Sequence, residues 1–592
     1  MSSPSKIADP VLFELFKNAI LSISDEMALT VVRTTYSGVL RDNMDFATAF
    51  CDADGRLVAQ GLTLPGHLGS VPTALAAVLA RYGDAIREGD VFCLNDPYEG
   101  GMHLPDLFVI QPIFHEGVLA AFGCVSSHHV DTGGRVPGSN AADSTEIYQE
   151  GLRIPPCRLY SQGEPNETLF RIIEKNVRAP TLYFGDLRAQ LSACHTADTQ
   201  FLELCDRYGR ETVAGLMEQL IDYSERMARA AIAEIPDGTA SFEDWIDDDG
   251  VDHGKPIRLF VTITKTGDKF HVDWTGTAPQ ARAAINNTLS FTKSASYAAI
   301  RCILKGDIPT NEGYFRCVEV EAPKGTVAYG ELPAACAARG LTGFRMIDCL
   351  FGALAQLAPD RVFAASDGGN TGISVGGYDA NRKPFIFVDF TCGTWGGRPW
   401  ADGLDGNSNI FANMASQPVE VIEAENPLEI LAYEFLTDRC GAGKYRGGAP
   451  YGRTYRFTEA EGVMQIRADR QTHRPYGLYG GYPGEPSANI WDPDGTPKKM
   501  PPKFTEIVKR DEIFRHEVAG AGGWGDPLER EPAAVAKDVR NDFISRAAAF
   551  DDYGVVLDGF DVVADATAAR REDIRKTRGW TETPMVLWEK PL

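Results

Sequence analysis

The sequence predicts an α+β fold: a large mixed multidomain body of β-hairpins and sheets flanked by helices, with no nucleotide-binding fold. Three observations lead there. Apolar residues recur at helical spacing in some segments and alternate in others. Several alternating segments come in pairs around tight turns. No Gly-x-x-x-x-Gly-Lys-Ser/Thr phosphate loop occurs, and Gly441 to Gly448 lacks both the spacing and the following helix.

At 592 residues the chain exceeds what one hydrophobic core usually holds. We divide it into an N-terminal metal-binding α+β part (1–238), a Gly-rich mixed middle (239–430), a β-rich part (431–528) and a helical, partly mobile tail (529–592). Leu12, Leu15, Phe16, Ala19, Ile20, Ile23 and Met27 recur at helical spacing and predict an opening amphipathic helix. Residues 45–51 and 56–60 predict a hairpin about Asp52-Ala53-Asp54-Gly55, and residues 107–113 and 118–126 predict a second about 114–117. A loop rich in Gly, Pro, Ser and Asn runs from Asp131 to about Pro156. Helical segments follow near 167–176, 186–205 and 210–235, stopped by Pro236-Asp237-Gly238. In the middle part, 257–265 and 269–274 alternate about Gly267-Asp268. Helices are expected at 294–304 and 341–357, the second with Phe344, Ile347, Leu350, Phe351 and Leu354 on one side, and a strand at 384–390.

Fifty-eight basic against 82 acidic residues give a formal charge of -24, which repels phosphate backbones and anionic lipid surfaces. Nucleic acid and membrane are therefore not expected as partners. Residues 1–10 have neither a basic nor an apolar leader pattern, and the longest apolar runs are too short to span a bilayer, so a cytoplasmic location is expected. The twelve cysteines form no C-x-x-C pair; several, such as Cys124, Cys302 and Cys349, sit in apolar runs and read as reduced core thiols.

Chemistry concentrates at the open ends of the two hairpins. His103-Leu104-Pro105-Asp106 precedes the second and His128-His129 follows it. A turn centred near Glu116 places Asp106 opposite residue 126 or 127, within reach of His128. In the first hairpin Asp42 falls opposite about Pro65, close to His67. Asp42, His103, Asp106 and His128 thus form a mixed nitrogen and oxygen ligand set suited to zinc, manganese or iron, with room for a water or substrate oxygen. His67 and His129 are placed around it as supporting or substrate-contacting groups. Taken singly, each residue is more simply read as a turn or capping group.

Other signals are weaker. Gly372-Ile373-Ser374-Val375-Gly376 matches a nucleophile elbow but is followed by another strand. Asp52 to Gly55 resembles the start of a calcium loop, yet the twelfth position is Thr63. The glycines around Asn370 and Arg398 allow close approach of a ligand, with Arg398 meeting an anion; tight turns and a structural arginine are the simpler explanation.

Taken together, Val32 to Ser37, Asp45-Phe46, Asp52 to Gln60, His67 to Ser70, Asn95 to Tyr98 with His103 to Asp106, His128-His129, Asp186 to Gln190, Gly443 to Gly448 and Gly522 to Pro527 resemble the hydantoinase B/oxoprolinase family, from about Pro10 to Pro527. The resemblance implies a metal site whose ligands fall on Asp42, His103, Asp106 and His128, with the shorter Asp42 where many relatives carry Glu. It also implies a hetero-oligomer with a hydantoinase A-type, ATP-binding subunit, which phosphorylates the oxygen of a cyclic amide or imide. This chain would then deliver a metal-activated water, with His129 or His67 as base. Related subunits of acetone and acetophenone carboxylases, or a non-catalytic scaffold for the partner, are the alternatives.

Overall fold

The computed structural model describes residues 9–67, 69–369, 371–391 and 393–591. Helix α1 (Pro10–Thr34) buries Phe13, Phe16, Ile20, Ile23, Met27 and Val31, and Asp9 caps its first turn. Leu15, expected on the buried face, is exposed. A one-turn helix α2 (Gly38–Arg41) leads to strands β1 (Phe46–Asp52) and β2 (Leu57–Gln60), then helix α3 (Ser70–Tyr82) and strand β3 (Val91–Leu94). Strands β4 (Asp106–His115), β5 (Val118–His128), β6 (Cys157–Ser161) and β7 (Glu164–Pro165) complete a seven-stranded sheet in the order β2-β1-β5-β4-β3-β6-β7.

Helices α4 (Glu167–Asn176), α5 (Pro180–Tyr208) and α6 (Arg210–Ala233) follow. Helix α5 packs against α1 and lies across β4 and β5. Asp186 on α5 accepts hydrogen bonds from Thr35 Oγ1 (2.5 Å) and the backbone N–H of Tyr36 (2.8 Å) and Ser37 (3.0 Å), which fixes the path from α1 into β1. Gly185 is required beside it, because a Cβ there would lie 2.3 Å from the Tyr36 ring.

The chain turns at Pro236 into strands β8 (Gly238–Ile246), β9 (Ile257–Thr266) and β10 (Lys269–Asp273), helices α7 (Leu289–Ile303) and α8 (Glu312–Phe315), strand β11 (Val318–Glu321) and helix α9 (Arg339–Ala355). Every residue of α9 is buried, not only the apolar side seen in sequence, because α7 and strands β8 and β9 enclose it. One hydrophobic core is continuous from Phe13 to Leu478, through the break at 236–238. Strands β12 (Gly372–Tyr378) and β13 (Pro384–Phe390) join a further sheet, with the elbow-like Gly372 to Gly376 inside β12.

The last part contains helices Pro532–Arg540, Arg546–Asp551 and Ala564–Arg578, and Val586–Leu587 pairs with Gly477–Leu478. Trp588 then stacks on Phe242, with ring centroids 5.9 Å apart. All described cysteines are free thiols, though Cys302 lies on the exposed side of α7 rather than in the core. No helix among the described residues is long and apolar enough to cross a membrane.

Candidate metal centre

Three neighbouring strands of the seven-stranded sheet end at the same place. Asp106 begins β4, His128 ends β5 and pairs with it, and the residue preceding β1 is Asp45, whose carbonyl accepts the His128 N–H at 3.0 Å. Simple counting from the β4–β5 turn set Asp106 opposite 126 or 127. A bulge between Ile113 and Phe114 moves the register, so that Asp106 meets His128 directly.

His103 joins them from the loop before β4. Asn95 holds that loop, its Nδ2 donating to the carbonyls of Leu104 (2.8 Å) and Leu152 (3.0 Å). His103 Nε2 lies 3.0 Å from Asp106 Oδ1, and His128 Nδ1 lies 3.3 Å from the same oxygen and 3.6 Å from Asp45 Oδ2. His67, in a single 3-10 turn, brings Nε2 within 3.5 Å of Asp106 Oδ2. The Arg339 guanidinium reaches the same Oδ2 at 2.5 Å from the start of α9 and lies 4.2 Å from the Phe291 ring centroid. All six of these side chains are almost completely buried.

The protonation states define what the cluster lacks. Burial, reinforced by the Arg339 charge, pushes His103 down to about 3, so its imidazole is neutral. Its Nδ1 lies 3.1 Å from the Ala337 carbonyl, which can only accept, so Nδ1 carries the proton and Nε2 is a bare lone pair. Burial opposes ionisation of Asp106, but the Arg339 guanidinium on its Oδ2 favours the charged form, and the carboxyl lies well below the usual range. Two electron-rich atoms therefore face each other at 3.0 Å with no proton between them, and neither has a hydrogen-bond partner. A cation held by both would relieve that opposition. The donor atoms of His103, Asp106 and His128 all lie within 4.8 Å of one another, and Asp45 supplies a second carboxylate. Burial raises the Asp45 pKa, with attraction to His128 pulling the other way. Two imidazoles and two carboxylates fit zinc, manganese or iron.

The cluster lines a small, nearly closed cavity of about 30 Å³. Phe291, Phe344, Phe390, Phe411 and Met414 form apolar walls, and Asn140 and Arg467 contribute polar groups.

Of the sequence candidates, His67, His103, Asp106 and His128 meet here. Asp42 does not: it caps the end of α2, four residues before β1, where Arg41 holds its carboxylate at 2.8 Å. Asp45 takes the place foreseen for it. His129, just past the end of β5, turns toward α5, where its Nε2 lies 3.0 Å from Gln190 Oε1. The Arg398 guanidinium donates to the Asp402 carbonyl at 2.9 and 2.5 Å and does not line the cavity. Asn370 lies outside the described residues. Sequence reading missed Asp45, Asn140 and Arg339. Of these, Asp45 was detectable, since it immediately precedes β1 and its register follows from the hairpin.

The fold and the cluster define a multi-sheet α+β chain built around a buried histidine and aspartate centre. Residues 9–527 match the model of the hydantoinase B/oxoprolinase family, and the chain belongs to that family. It is 31% identical to the beta subunit of the caprolactamase of Pseudomonas jessenii, over 93% of this chain and 97% of that one. It is 32% identical to a protein of Pseudomonas sp. (strain NS671) provisionally named as the B-type subunit of a D-/L-hydantoinase, over 93% and 96%. The crystal structure of the ATP-dependent caprolactamase from Pseudomonas jessenii superimposes with a TM-score of 0.89 at 30% identity, over 96% of this chain and all of that one. Nucleotide-free acetone carboxylase shares the fold, with a TM-score of 0.91 at 20% identity, over 98% and 84%.

Proposed function

We propose that this chain is the metal-dependent subunit of an ATP-dependent cyclic amide or imide hydrolase, working with a hydantoinase A-type partner in the cytoplasm. The observation that carries the reading is the bare His103 Nε2 facing the ionised Asp106 Oδ1 at 3.0 Å inside an apolar-walled cavity. The names of the caprolactamase and hydantoinase relatives, each called a subunit, support both the substrate class and the partner. A divalent zinc, manganese or iron ion held by Asp45, His103, Asp106 and His128 supplies a Lewis acid that lowers the pKa of water and balances developing negative charge.

The chain's own residues do the rest. Arg339 keeps Asp106 ionised, and the Ala337 carbonyl keeps the His103 lone pair turned inward. His67 is the group placed to take the proton of the attacking water, since it lines the cavity and His129 does not. The aromatic walls exclude bulk water and receive the ring carbons. An unstrained lactam is a poor electrophile, so the partner's role is to phosphorylate its oxygen before the water attacks.

The test is a co-expressed pair assayed with ATP over a panel of hydantoins, 5-oxoproline and lactams. Ring opening that needs ATP but not bicarbonate is the expected result. Strict dependence on bicarbonate overturns the hydrolase assignment, and full turnover by Asp106→Asn overturns the role of the cluster.

A further inference from the structure

Cys93 on β3 and Cys157 on β6 are direct partners across an antiparallel ladder, so their side chains leave the same face of the sheet. Their sulfurs lie 3.7 Å apart. Opposed residues of such a ladder have Cα atoms about 4.5–5.5 Å apart, inside the roughly 4.4–6.8 Å that a disulfide bridges. Bond formation needs the sulfurs to approach by only about 1.7 Å, which lies within the reach of side-chain rotation.

The strands are clamped on both sides of the pair. Asp90, just before β3, accepts from Arg158 Nε and from the Gln162 N–H, each at 3.0 Å. Asn95, just past β3, accepts the Ile154 N–H at 2.7 Å and donates to the Leu152 carbonyl at 3.0 Å. The two thiols are therefore held against each other and need not meet by diffusion.

They differ in the way a reactive pair requires. Cys157 is partly exposed, and Cys93 is fully buried. The Cys93 thiol and the Arg81 charge lower the Cys157 pKa against the effect of burial, whereas the Cys157 thiol and burial push Cys93 well up. The outer sulfur is thus the nucleophile and the inner one the resolving thiol. Cys51 on β1 and Cys124 on β5 also hydrogen-bond to each other, but both are fully buried. Their ladder partners are Phe122 and Ala49, so they sit diagonally, where Cα atoms are about 7–8 Å apart and a bridge would have to move the backbone.

We propose that Cys93 and Cys157 are an oxidant-responsive dithiol that closes to a disulfide when the outer thiol meets hydrogen peroxide. The Cys157 sulfur attacks one peroxide oxygen and the O–O bond breaks, leaving a sulfenic acid and one water. The Cys93 sulfur then attacks the Cys157 sulfur, and its proton leaves with the displaced hydroxide as a second water. Two thiols lose two electrons in all, and one peroxide becomes two waters. The bridge spans 64 positions of chain that include His103, Asp106 and His128, and so braces the segment that presents them.

The test treats the full chain with hydrogen peroxide, alkylates the remaining thiols, and weighs the peptides by mass spectrometry with and without reduction. The expected result is a Cys93–Cys157 cross-linked peptide that dithiothreitol removes and that forms at least about tenfold faster than any Cys51–Cys124 link. In Cys93→Ser the oxidation of Cys157 should stop at the sulfenic acid, which dimedone traps. The oxidised wild-type chain should unfold at a higher urea concentration than the reduced chain, a rise that is missing in Cys157→Ser. The wild-type measurements decide alone if a variant does not fold. A Cys157 that resists peroxide, a Cys157 sulfenic acid that persists beside Cys93 in the wild type, or a link that forms no faster than Cys51–Cys124 overturns the proposal. A link that lowers the urea midpoint overturns the brace.

Discussion

Asp106 and His128 stand directly opposite each other across the β4–β5 ladder, with Asp106 Oδ1 3.3 Å from His128 Nδ1. A cross-strand pair at the end of a central ladder is among the more rigid placements a chain can give two ligands. Asp106→Asn should therefore leave the fold intact and abolish stoichiometric binding of a divalent ion. Metal analysis of the purified variant against wild type, beside its circular dichroism spectrum, checks this. Retention of a full equivalent of metal would show that Asp106 is not a ligand.

Asp45 and Asp42 make a paired test of the fourth position. Asp45 lies 3.6 Å from His128, whereas Asp42 is held by Arg41 outside the cavity. Asp45→Asn is expected to weaken metal affinity by about 10–100-fold or more, and Asp42→Asn to leave it unchanged. Competition with a chelating dye measures both. The opposite ranking would restore the position read from sequence.

How much was legible follows from these residues. The two hairpins, His103, Asp106 and His128 were readable because turn residues and alternation set which strand ends lie together. Three kinds of information were missing. The bulge at Ile113 moved the β4–β5 register by one and is not marked by any glycine or proline. The turn of α2 displaced Asp42 from the strand end, so counting back along an assumed extended chain passed over Asp45. Arg339 and Asn140 reach the cavity from 233 and 34 positions beyond Asp106, through tertiary packing that no local pattern encodes.

His67 and His129 separate a base from a packing residue. His67→Gln is expected to lower kcat of the co-expressed pair by about 10²–10⁴-fold and to change the shape of its pH profile. His129→Gln should leave the profile in place and act on stability, since its ring packs against Tyr183 with centroids 4.0 Å apart and lies 3.0 Å from Gln190. Measured pH–rate curves for both variants decide. An unchanged profile for the His67 variant would remove its role as base.

Arg339→Met should show that the cation and the guanidinium share the task of neutralising Asp106. Removing one partner of a buried ion pair costs about 3–5 kcal/mol when the other charge is left alone. The metal-free variant should lose that much stability, while the metal-loaded variant loses clearly less. Denaturant unfolding with and without added Zn²⁺ measures the difference. Equal losses in both states would mean that no cation sits beside Asp106.

Glu150 supplies a pH-dependent support one step behind His103. Its Oε1 accepts the N–H of Cys336 (2.9 Å) and Ala337 (2.8 Å), the latter being the residue whose carbonyl orients His103. Burial pushes the Glu150 carboxyl up from 4.5 to about 8, despite those two hydrogen bonds. The folded chain thus keeps a proton that the unfolded chain releases between those two values. The stabilisation is complete below about pH 4.5 and is lost as pH rises to about 8, by at most about 1.4 kcal/mol per pH unit. In Glu150→Gln the Oε1 acceptor remains and the titration is gone. Its unfolding free energy, measured at pH 6, 7, 8 and 9, should fall less steeply than that of the wild type and exceed it at pH 9. A parallel decline in the two proteins would show that Glu150 is ionised in the folded chain throughout that range.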